Sequence, residues 1–368
     1  MRENWEKIKY DCFLCSIPEI MTGKRRRLLD YFGTSEHIFK AGKKELEQVP
    51  YLTEKDVVRI LSCQTEDYLD RLKEALVRQN ISFITEREKD FPERLKRISD
   101  PPYGLFYKGS LPKDSQPSVA VVGARKVTEA GKQIADKFGC ELAANGVQVI
   151  SGMALGVDIC AQRGALKYER GRTFAVLGTG VDICYPRQHI ESYMNMQQRG
   201  GVISEFPLGT PAFPGNFPVR NRIISGLSDG VLVIEAKKKS GSLITAETGL
   251  EQGREIFVVP GGMCDPQYEG GNELLKQGAV LVTRVEDILD GLGLFFNEDV
   301  VTKKKKTNFM LETTEKIVYS ILSLEPIHIS ELMTETGLSM PVLMEQLLSL
   351  QGKRLIKMIG NNYYVIRL

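Results

Sequence analysis

The middle of this chain alternates short apolar segments with segments of helical periodicity, and this alternation limits the possible folds more than any other feature. Apolar runs at 118–122, 147–150 and 231–234 are separated by helical segments such as 128–145. Near-continuous apolar strands that alternate with helices are typical of a parallel sheet covered on both faces. Of the 34 glycines, 24 lie between residues 118 and 290, where tight turns need backbone freedom. The sequence therefore predicts an α/β fold here.

The region before this alternation has a different pattern. Residues 1–78 contain short helical segments joined by turns such as the one at 33–35, which predicts a small helical domain. Residues 79–290 form the predicted α/β domain. We expect 81–112 to extend its sheet, because this stretch begins with the apolar strand 81–84.

Two further parts follow the α/β domain. Residues 291–310 include the run Lys303-Lys304-Lys305-Lys306 and no apolar periodicity, which predicts a solvated linker rather than a dedicated binding patch. Residues 311–368 contain three helical segments followed by a hairpin, the order of elements in a winged helix. Its third helix has no basic residue between 339 and 348, although base readout needs Arg, Lys, Asn or Gln. We therefore expect this unit to dock a protein or another part of the chain.

Hydropathy and cysteine usage exclude several classes of protein. No run of 18 or more apolar residues occurs, and the amino-terminal residues lack the apolar core of a signal peptide. We expect a cytoplasmic protein without membrane insertion. The seven cysteines are scattered and odd in number, so they predict no disulfide framework. Cys12 and Cys15 form a single C-x-x-C without further ligands at metal-site spacing, and we interpret them as buried helix cysteines.

The segment Phe217-Pro218-Val219-Arg220-Asn221-Arg222 carries two arginines and an amide at a predicted helix start. Free backbone N–H groups and the dipole at a helix start attract anions, and guanidinium groups suit phosphate. The segment therefore predicts a phosphate-binding site. Because the net charge is only +2, any contact with nucleic acid must be local.

Other polar loops follow predicted strands. Arg125 ends the first strand, Ser151 and Gly152 end the second, and the segment 240–245 follows a later one. Ligands of parallel sheets bind at the carboxyl ends of the strands, so these loops predict one crevice. We also predict that Ser240 caps the helix it precedes.

Catalytic motifs are absent from the sequence. The three histidines lie in three different segments, and no G-x-S-x-G, H-E-x-x-H or Walker A motif occurs. The segment after Gly123 is not the G-x-G-x-x-G fingerprint of dinucleotide binding. We interpret Asp182 and Glu205 as hydrogen-bond acceptors in loops. We expect no catalytic residue, no metal ion and no cofactor.

These segments together resemble the DNA-processing protein A family, DprA, also called Smf. Eight blocks occur in the family's order and carry the resemblance: 123–125, 151–158, 178–180, 185–187, 204–207, 217–226, 240–246 and 259–262. The flanking modules also fit the family's layout, which has an N-terminal helical domain similar to SAM or helix-hairpin-helix domains and a C-terminal winged helix.

The resemblance implies an extended Rossmann-like fold that binds single-stranded DNA without sequence preference. It also implies a homodimer that protects incoming DNA and loads the RecA recombinase in natural transformation, and a family not known for enzymatic activity. The DNA-binding residues that we predict are Arg125, Ser151, Gly152, Arg187, Arg220, Asn221, Arg222, Ser240, Gly241 and Thr245. Gln162, Ala130 and His189 depart from the residues common in the family, which affects the edges of the predicted pocket.

The alternative hypothesis is an enzyme. The Pro260-Gly261-Gly262 loop and the predicted layout are similar to those of lysine-decarboxylase-like nucleotide phosphoribohydrolases. In that family the motif continues through Gly-Thr to acidic residues, whereas Met263-Cys264-Asp265-Pro266 follows here. Release of free base from nucleoside monophosphates would distinguish the two hypotheses.

Overall fold

The structure is a computed structural model that describes residues 2–294, 312–353 and 355–366. Most of the predicted linker at 291–310, including its lysine run, lies outside the described residues. Within the described ranges, no helix combines the length and the apolar character needed to cross a membrane.

A large sheet forms the centre of the molecule. Its nine strands in the described ranges are β1 Ser82–Thr85, β2 Gly104–Gly109, β3 Ser118–Gly123, β4 Gln148–Ser151, β5 Thr173–Val176, β6 Gly200–Ser204, β7 Gly230–Ile234, β8 Glu255–Val258 and β9 Val280–Leu281. Their order is β1-β2-β6-β5-β4-β3-β7-β8-β9. In this order, the strands β6, β5, β4, β3, β7, β8 and β9 are mutually parallel. At one edge of the sheet, β2 pairs antiparallel with β6, and β1 pairs antiparallel with β2. The predicted extension of the sheet by 81–112 is confirmed.

Six helices precede the sheet in the described residues. They are α1 Arg2–Ser16, α2 Thr22–Phe32, α3 Ser35–Lys40, α4 Lys43–Leu46, α5 Glu54–Cys63 and α6 Glu66–Arg78. Phe13 and Cys15 of α1 are fully buried and belong to the same apolar cluster as Phe106 and Leu177 of the sheet. The N-terminal helices therefore share a core with one end of the sheet. The predicted division at residues 78 and 79 stays a prediction.

Helices cover both faces of the sheet. They are α7 Glu93–Lys96, α8 Glu129–Ala144, α9 Val157–Lys167, α10 Ile190–Gln198, α11 Asn216–Gly226, α12 Gly241–Glu251, α13 Glu269–Lys276 and α14 Val285–Gly291. Successive residues of a strand point to opposite faces. Accordingly, Val119 and Val121 pack in the cluster with α8 and α9, whereas Ala120 and Val122 pack with α11 and α12. The predicted α/β architecture is confirmed.

The order of the strands creates a crevice at one place. The chain leaves β3 for β4 on one side, and it later returns to place β7 on the other side of β3. Loops after β3 and β7 therefore diverge, which is where ligands bind in open parallel sheets. A Cβ atom on Gly123, the last residue of β3, would lie 1.9 Å from the carbonyl oxygen of Ile234, so only glycine allows the two strand ends to approach this closely.

A smaller unit follows at the C-terminus, with its own apolar core. Its elements are α15 Thr313–Ile321, β10 Ile327–His328, α16 Ile329–Thr336, α17 Met340–Gly352, β11 Ile356–Met358 and β12 Tyr363–Ile366. The three strands are antiparallel in the order β10-β12-β11. The unit contacts α8 through an ion pair of 2.5 Å between Lys357 and Glu129 and a hydrogen bond from Gln133 to the carbonyl of Ile366. The winged-helix assignment stays a prediction.

Candidate functional site

A cleft of about 630 Å³ opens at the predicted crevice, beside the ends of β3 and β7. Its walls come from the loop after β3, the first turns of α11, and the loop that leads from β7 into α12. The lining includes Arg125, Lys126, Asp158, Tyr185, Phe217, Arg220, Asn221, Lys237, Lys239, Ser240, Gly241, Ser242 and Thr245. Chain segments about 120 residues apart in sequence thus form one cleft.

Free positive charge is the main electrostatic feature of this cleft. Arg125, Lys126, Lys237 and Lys239 line it, and all four are at least partly exposed. Among the residues that the structure describes, none of these four cations has a carboxylate oxygen within 4.0 Å. Like charges that converge without partners raise the local potential and favour an anion. The three lysines were not predicted as site residues, although the run 237–239 directly precedes Ser240.

Arg220 forms the floor of the cleft and is almost completely buried. Its guanidinium donates to the carbonyl oxygen of Gly152 at 3.0 Å and to that of Val176, at the ends of β4 and β5. Burial lowers the pKa of Arg220 to about 10, while the nearby carboxylate of Asp158 opposes this shift. Arg220 therefore stays protonated at neutral pH and supports the loop that follows β4.

The carboxylate of Asp158 is also buried at this floor. Burial raises its pKa, and the positive charge of Arg220 counteracts the increase. Asp158 accepts a hydrogen bond of 3.0 Å from the backbone N–H of Gly152. Its negative charge is therefore engaged below the cleft and does not neutralise the exposed cations at the mouth.

Two aromatic rings stand at the cleft. The rings of Tyr185 and Phe217 have centroids 5.8 Å apart and are tilted by 33°. The guanidinium of Arg125 lies 5.3 Å from the centroid of Phe217. Tyr185 is 43% exposed, so part of the residue is open to a ligand. Tyr185 belongs to the block 185–187 and Phe217 to the block 217–226, but their aromatic character did not enter the prediction of the site.

The start of α12 supplies neutral hydrogen-bonding groups. The Ser240 hydroxyl accepts from the backbone N–H of Ser242 at 3.4 Å, which confirms the predicted N-cap. A Cβ atom added at Gly241 would meet no other atom within 4 Å, so the backbone there is open to the cleft. Thr245 and Asn221 also line the cleft. A helix start with accessible N–H groups favours an anion at this point.

The segment 217–222, predicted to lie at a helix start, occupies the first and second turns of α11. The helix α11 begins at Asn216, so Arg220 lies in its second turn, where the backbone N–H groups are already paired. Pro218 is accommodated because the N–H groups of a first helical turn have no partner within the helix. The first turn of α11 and the start of α12 therefore both border the cleft.

Four predicted site residues lie outside the cleft lining. Ser151 is fully buried and donates to the carbonyl of Val121 at 2.7 Å. Arg187 lies at the start of a short 3₁₀ turn, Arg187–His189, after Tyr185. Arg222 is directed towards Glu205. Gly152 lines a narrow notch beside the cleft.

The environment of Arg222 is that of a buried ion pair. Burial alone would lower its pKa, but the carboxylates of Glu205 and Asp100 outweigh burial, and the pKa is raised. The structure thus brings together Arg125, Arg220, Asn221, Ser240, Gly241 and Thr245 of the predicted set.

Comparison with known proteins agrees with this architecture. The family model for DNA recombination-mediator protein A matches residues 82–293. Protein Smf of Escherichia coli is 44% identical over 218 residues, which are 59% of this chain and 58% of that protein. The DNA processing protein DprA of Bacillus subtilis is 40% identical over 225 residues, which are 61% of this chain and 75% of that protein. The match thus spans less than two thirds of the E. coli relative.

Two solved structures extend the comparison. The X-ray structure of DNA processing protein A from Streptococcus pneumoniae superposes with a TM-score of 0.66 and 32% identity, and covers 78% of this chain and 99% of that one. The DNA processing protein A of Helicobacter pylori, described for its single-stranded DNA binding mode, superposes with a TM-score of 0.51 and 30% identity, covering 58% of this chain and 95% of that one. The chain belongs to the DNA recombination-mediator protein A family, the DprA or Smf family of DNA processing proteins.

Proposed function

We propose that the chain binds single-stranded DNA in the cleft beside β3 and β7. The observation that carries this proposal is the convergence of Arg125, Lys126, Lys237 and Lys239, which have no carboxylate partners in the described residues. A DNA backbone brings one negative charge per nucleotide, and its phosphates would neutralise these cations. The release of condensed counterions then favours binding.

The aromatic rings support a single strand rather than a duplex. Tyr185 and Phe217 lie at the same cleft as the cations, and a base must be unpaired to stack on such rings. Stacking accepts every base, so the proposed binding has little sequence preference. The H. pylori relative, whose single-stranded DNA binding mode has been described, supports the same class of ligand.

The test compares oligothymidylate with duplex DNA of equal length by fluorescence anisotropy over a series of salt concentrations. We expect tighter binding of the single strand, with a slope of log affinity against log salt of about −0.7 per neutralised phosphate. Lys239→Ala and Arg125→Ala should each weaken binding and make the slope shallower. Lys276→Ala is the matched control, because Lys276 is exposed but pairs with Glu273 away from the cleft. Parent-like binding by both cleft variants would overturn the assignment.

We also propose a non-enzymatic role. Asp158 is the one carboxylate among the described residues that line the cleft, and it is buried and hydrogen-bonded to Gly152. Glu235, at the end of β7, is likewise buried and accepts from the backbone N–H of Thr128 at 2.9 Å. Neither is free to act as a general base. Release of free base from nucleoside monophosphates by the purified protein would contradict this.

Family membership supports a further proposal, namely that the protein protects incoming DNA and loads a RecA recombinase during natural transformation in the cytoplasm. The expected result is faster assembly of RecA on single-stranded DNA already covered by a single-strand-binding protein. Arg125→Ala should lose this acceleration together with DNA affinity. Acceleration by a variant that does not bind DNA would separate the two activities and contradict the proposal.

Family membership also supports a homodimer. Light scattering of the full chain at tens of micromolar should give twice the mass of one chain, 41.3 kDa. A strictly monomeric mass would exclude it.

A further inference from the structure

The two arginines of α11 serve different sites. Consecutive residues of a helix are about 100° apart around its axis, so Arg220 and Arg222 point in directions about 200° apart. Phe217, Arg220 and Asn221 line the cleft. Arg222 projects from the other side of the helix, where it meets the loops that follow β6 and precede β2.

Arg222 is held there by a buried set of polar contacts. Its Nη1 and Nη2 donate to the two carboxylate oxygens of Glu205 at 2.8 and 2.7 Å. Its Nε donates to Asp100 at 3.1 Å. Glu205 is fully buried and the Arg222 side chain is only 11% exposed, so the pair is largely removed from water. A forked pair of this kind is geometrically specific, because both hydrogen bonds need the two planar groups to be aligned.

The same contacts reach the N-terminal helices. The hydroxyl of Thr22, the first residue of α2, donates to Glu205 at 2.9 Å and accepts from Arg222 at 3.3 Å. Arg25, also on α2, donates to the backbone carbonyl of Glu205 at 3.4 Å and to that of Cys15 at 2.8 Å. Glu205 is thus bound by α2 through both its side chain and its backbone.

We propose that Thr22, Arg25, Glu205 and Arg222 form a joint through which the N-terminal helices position α11, and with it the cleft-lining residues on the opposite side of that helix. This inference rests on the proposed function. The four residues are positioning residues, because a buried guanidinium paired with Glu205 is not available to a phosphate. Rotation or sliding of α11 would break the forked pair inside a close-packed core, which keeps Phe217, Arg220 and Asn221 in register with the cleft.

A joint that only stabilises the fold would affect unfolding and leave the affinity of folded molecules unchanged. Thr22→Val separates the two cases, since it keeps the shape of the side chain and removes the hydroxyl. Thr65→Val is the matched control. Thr65 lies in the same group of helices, and its hydroxyl caps α6 by accepting from the backbone N–H of Tyr68 at 3.1 Å, far in sequence from the joint. Loss of such a cap also reduces stability.

The experiment measures the affinity of the full-length chain for oligothymidylate, under conditions where circular dichroism shows each variant folded. We expect Thr22→Val to weaken binding about fivefold, with an unchanged salt slope because no phosphate contact is lost. Thr65→Val should bind within about twofold of the parent. Parent-like affinity of Thr22→Val would overturn the joint while leaving the proposed function intact. A parent chain without affinity would overturn both.

A second variant leaves the buried pair of Arg222 and Glu205 intact. Asp100 is largely exposed, and Asp100→Asn removes one charge that faces Arg222 without leaving Glu205 unpaired. We expect a smaller loss of affinity in the same direction. The loss of affinity caused by Thr22→Val should also be smaller in a Phe217→Ala background. A displaced α11 weakens binding by moving the cleft residues that it carries, and Phe217 is already missing in that background. Fully additive effects of Thr22→Val and Phe217→Ala would contradict positioning.

Discussion

The guanidinium of Arg125 lies 5.3 Å from the centre of the Phe217 ring, at the mouth of the cleft. A cation over an aromatic face is attracted by the ring quadrupole, so the ring restrains Arg125 in a position from which it can meet a phosphate. A residue from the loop after β3 and a residue from α11 thereby lie together at the mouth of the cleft.

Replacing Phe217 by Ala should weaken binding of oligothymidylate by about 1–3 kcal/mol, because one stacking surface is lost and Arg125 is no longer restrained. The slope of affinity against salt should change little, since the charges remain. Phe213→Ala is a suitable control, as Phe213 is exposed nearby but does not line the cleft. Anisotropy titrations at two salt concentrations measure both quantities. An unchanged affinity would show that no base stacks on this ring.

Replacing Arg222 by Ala should destabilise the protein by about 3–5 kcal/mol, because Glu205 would remain buried without its partner. Arg125→Ala should change the free energy of unfolding by less than about 0.5 kcal/mol, since Arg125 is exposed and pairs with no carboxylate in the described residues. Urea denaturation followed by circular dichroism compares the two. Equal stability of both variants would contradict the buried ion pair.

A chain that ends at Leu294 should bind oligothymidylate within a few-fold of the full chain. The C-terminal unit has its own core, and its ion pair between Lys357 and Glu129 is about half exposed on the lysine side. Exposed pairs of this kind contribute about 0–1 kcal/mol. Titration of both chains at the same salt concentration measures the difference. A hundredfold loss would mean that the C-terminal unit contributes directly to the DNA site.

Acid should loosen the C-terminal unit. Hydrogen bonds from Lys353 and Ser349 lower the pKa of Glu315 to about 2 from its usual 4.5. A carboxyl group with a lowered pKa in the folded state contributes stability that is fully present above pH 4.5 and is lost as the pH falls towards 2. Hydrogen exchange of residues 313–352 between pH 5 and 2.5 should show this loss of protection. Glu315→Gln should be less protected at pH 5 and less dependent on pH, and an identical profile would contradict the assignment.

The sheet was largely predictable because its strands are buried on both faces. The runs at 118–122, 147–150 and 231–234 correspond to β3, β4 and β7 within about one residue. Apolar runs bounded by glycine and polar residues indicate buried strands without reference to the rest of the chain. Cys12 and Cys15 lie fully buried in α1, which confirms their interpretation as buried helix cysteines. The full extent of α1 was not predicted, because its polar N-terminal half gives little periodicity.

The sequence predicted those site residues that directly follow a strand of the parallel sheet. Arg125 and Ser240 follow β3 and β7, and the carboxyl ends of parallel strands meet at one edge. The environment of Arg222 could not be predicted in this way. An arginine has the same appearance in sequence whether its charge is free or paired, and the partners of Arg222 include Thr22, 200 residues away.

Because the N-terminal helices share a core with the sheet, removal of one end of this chain would not have the same effect as removal of the other. A gene rearrangement that removed residues 1–78 would leave Phe106, Met153 and Leu177 without the side chains that now bury them. Loss of the C-terminal unit would remove a separate core and a few polar contacts. Removal of the amino end would therefore expose core side chains of the sheet, whereas removal of the carboxyl end would leave that core covered.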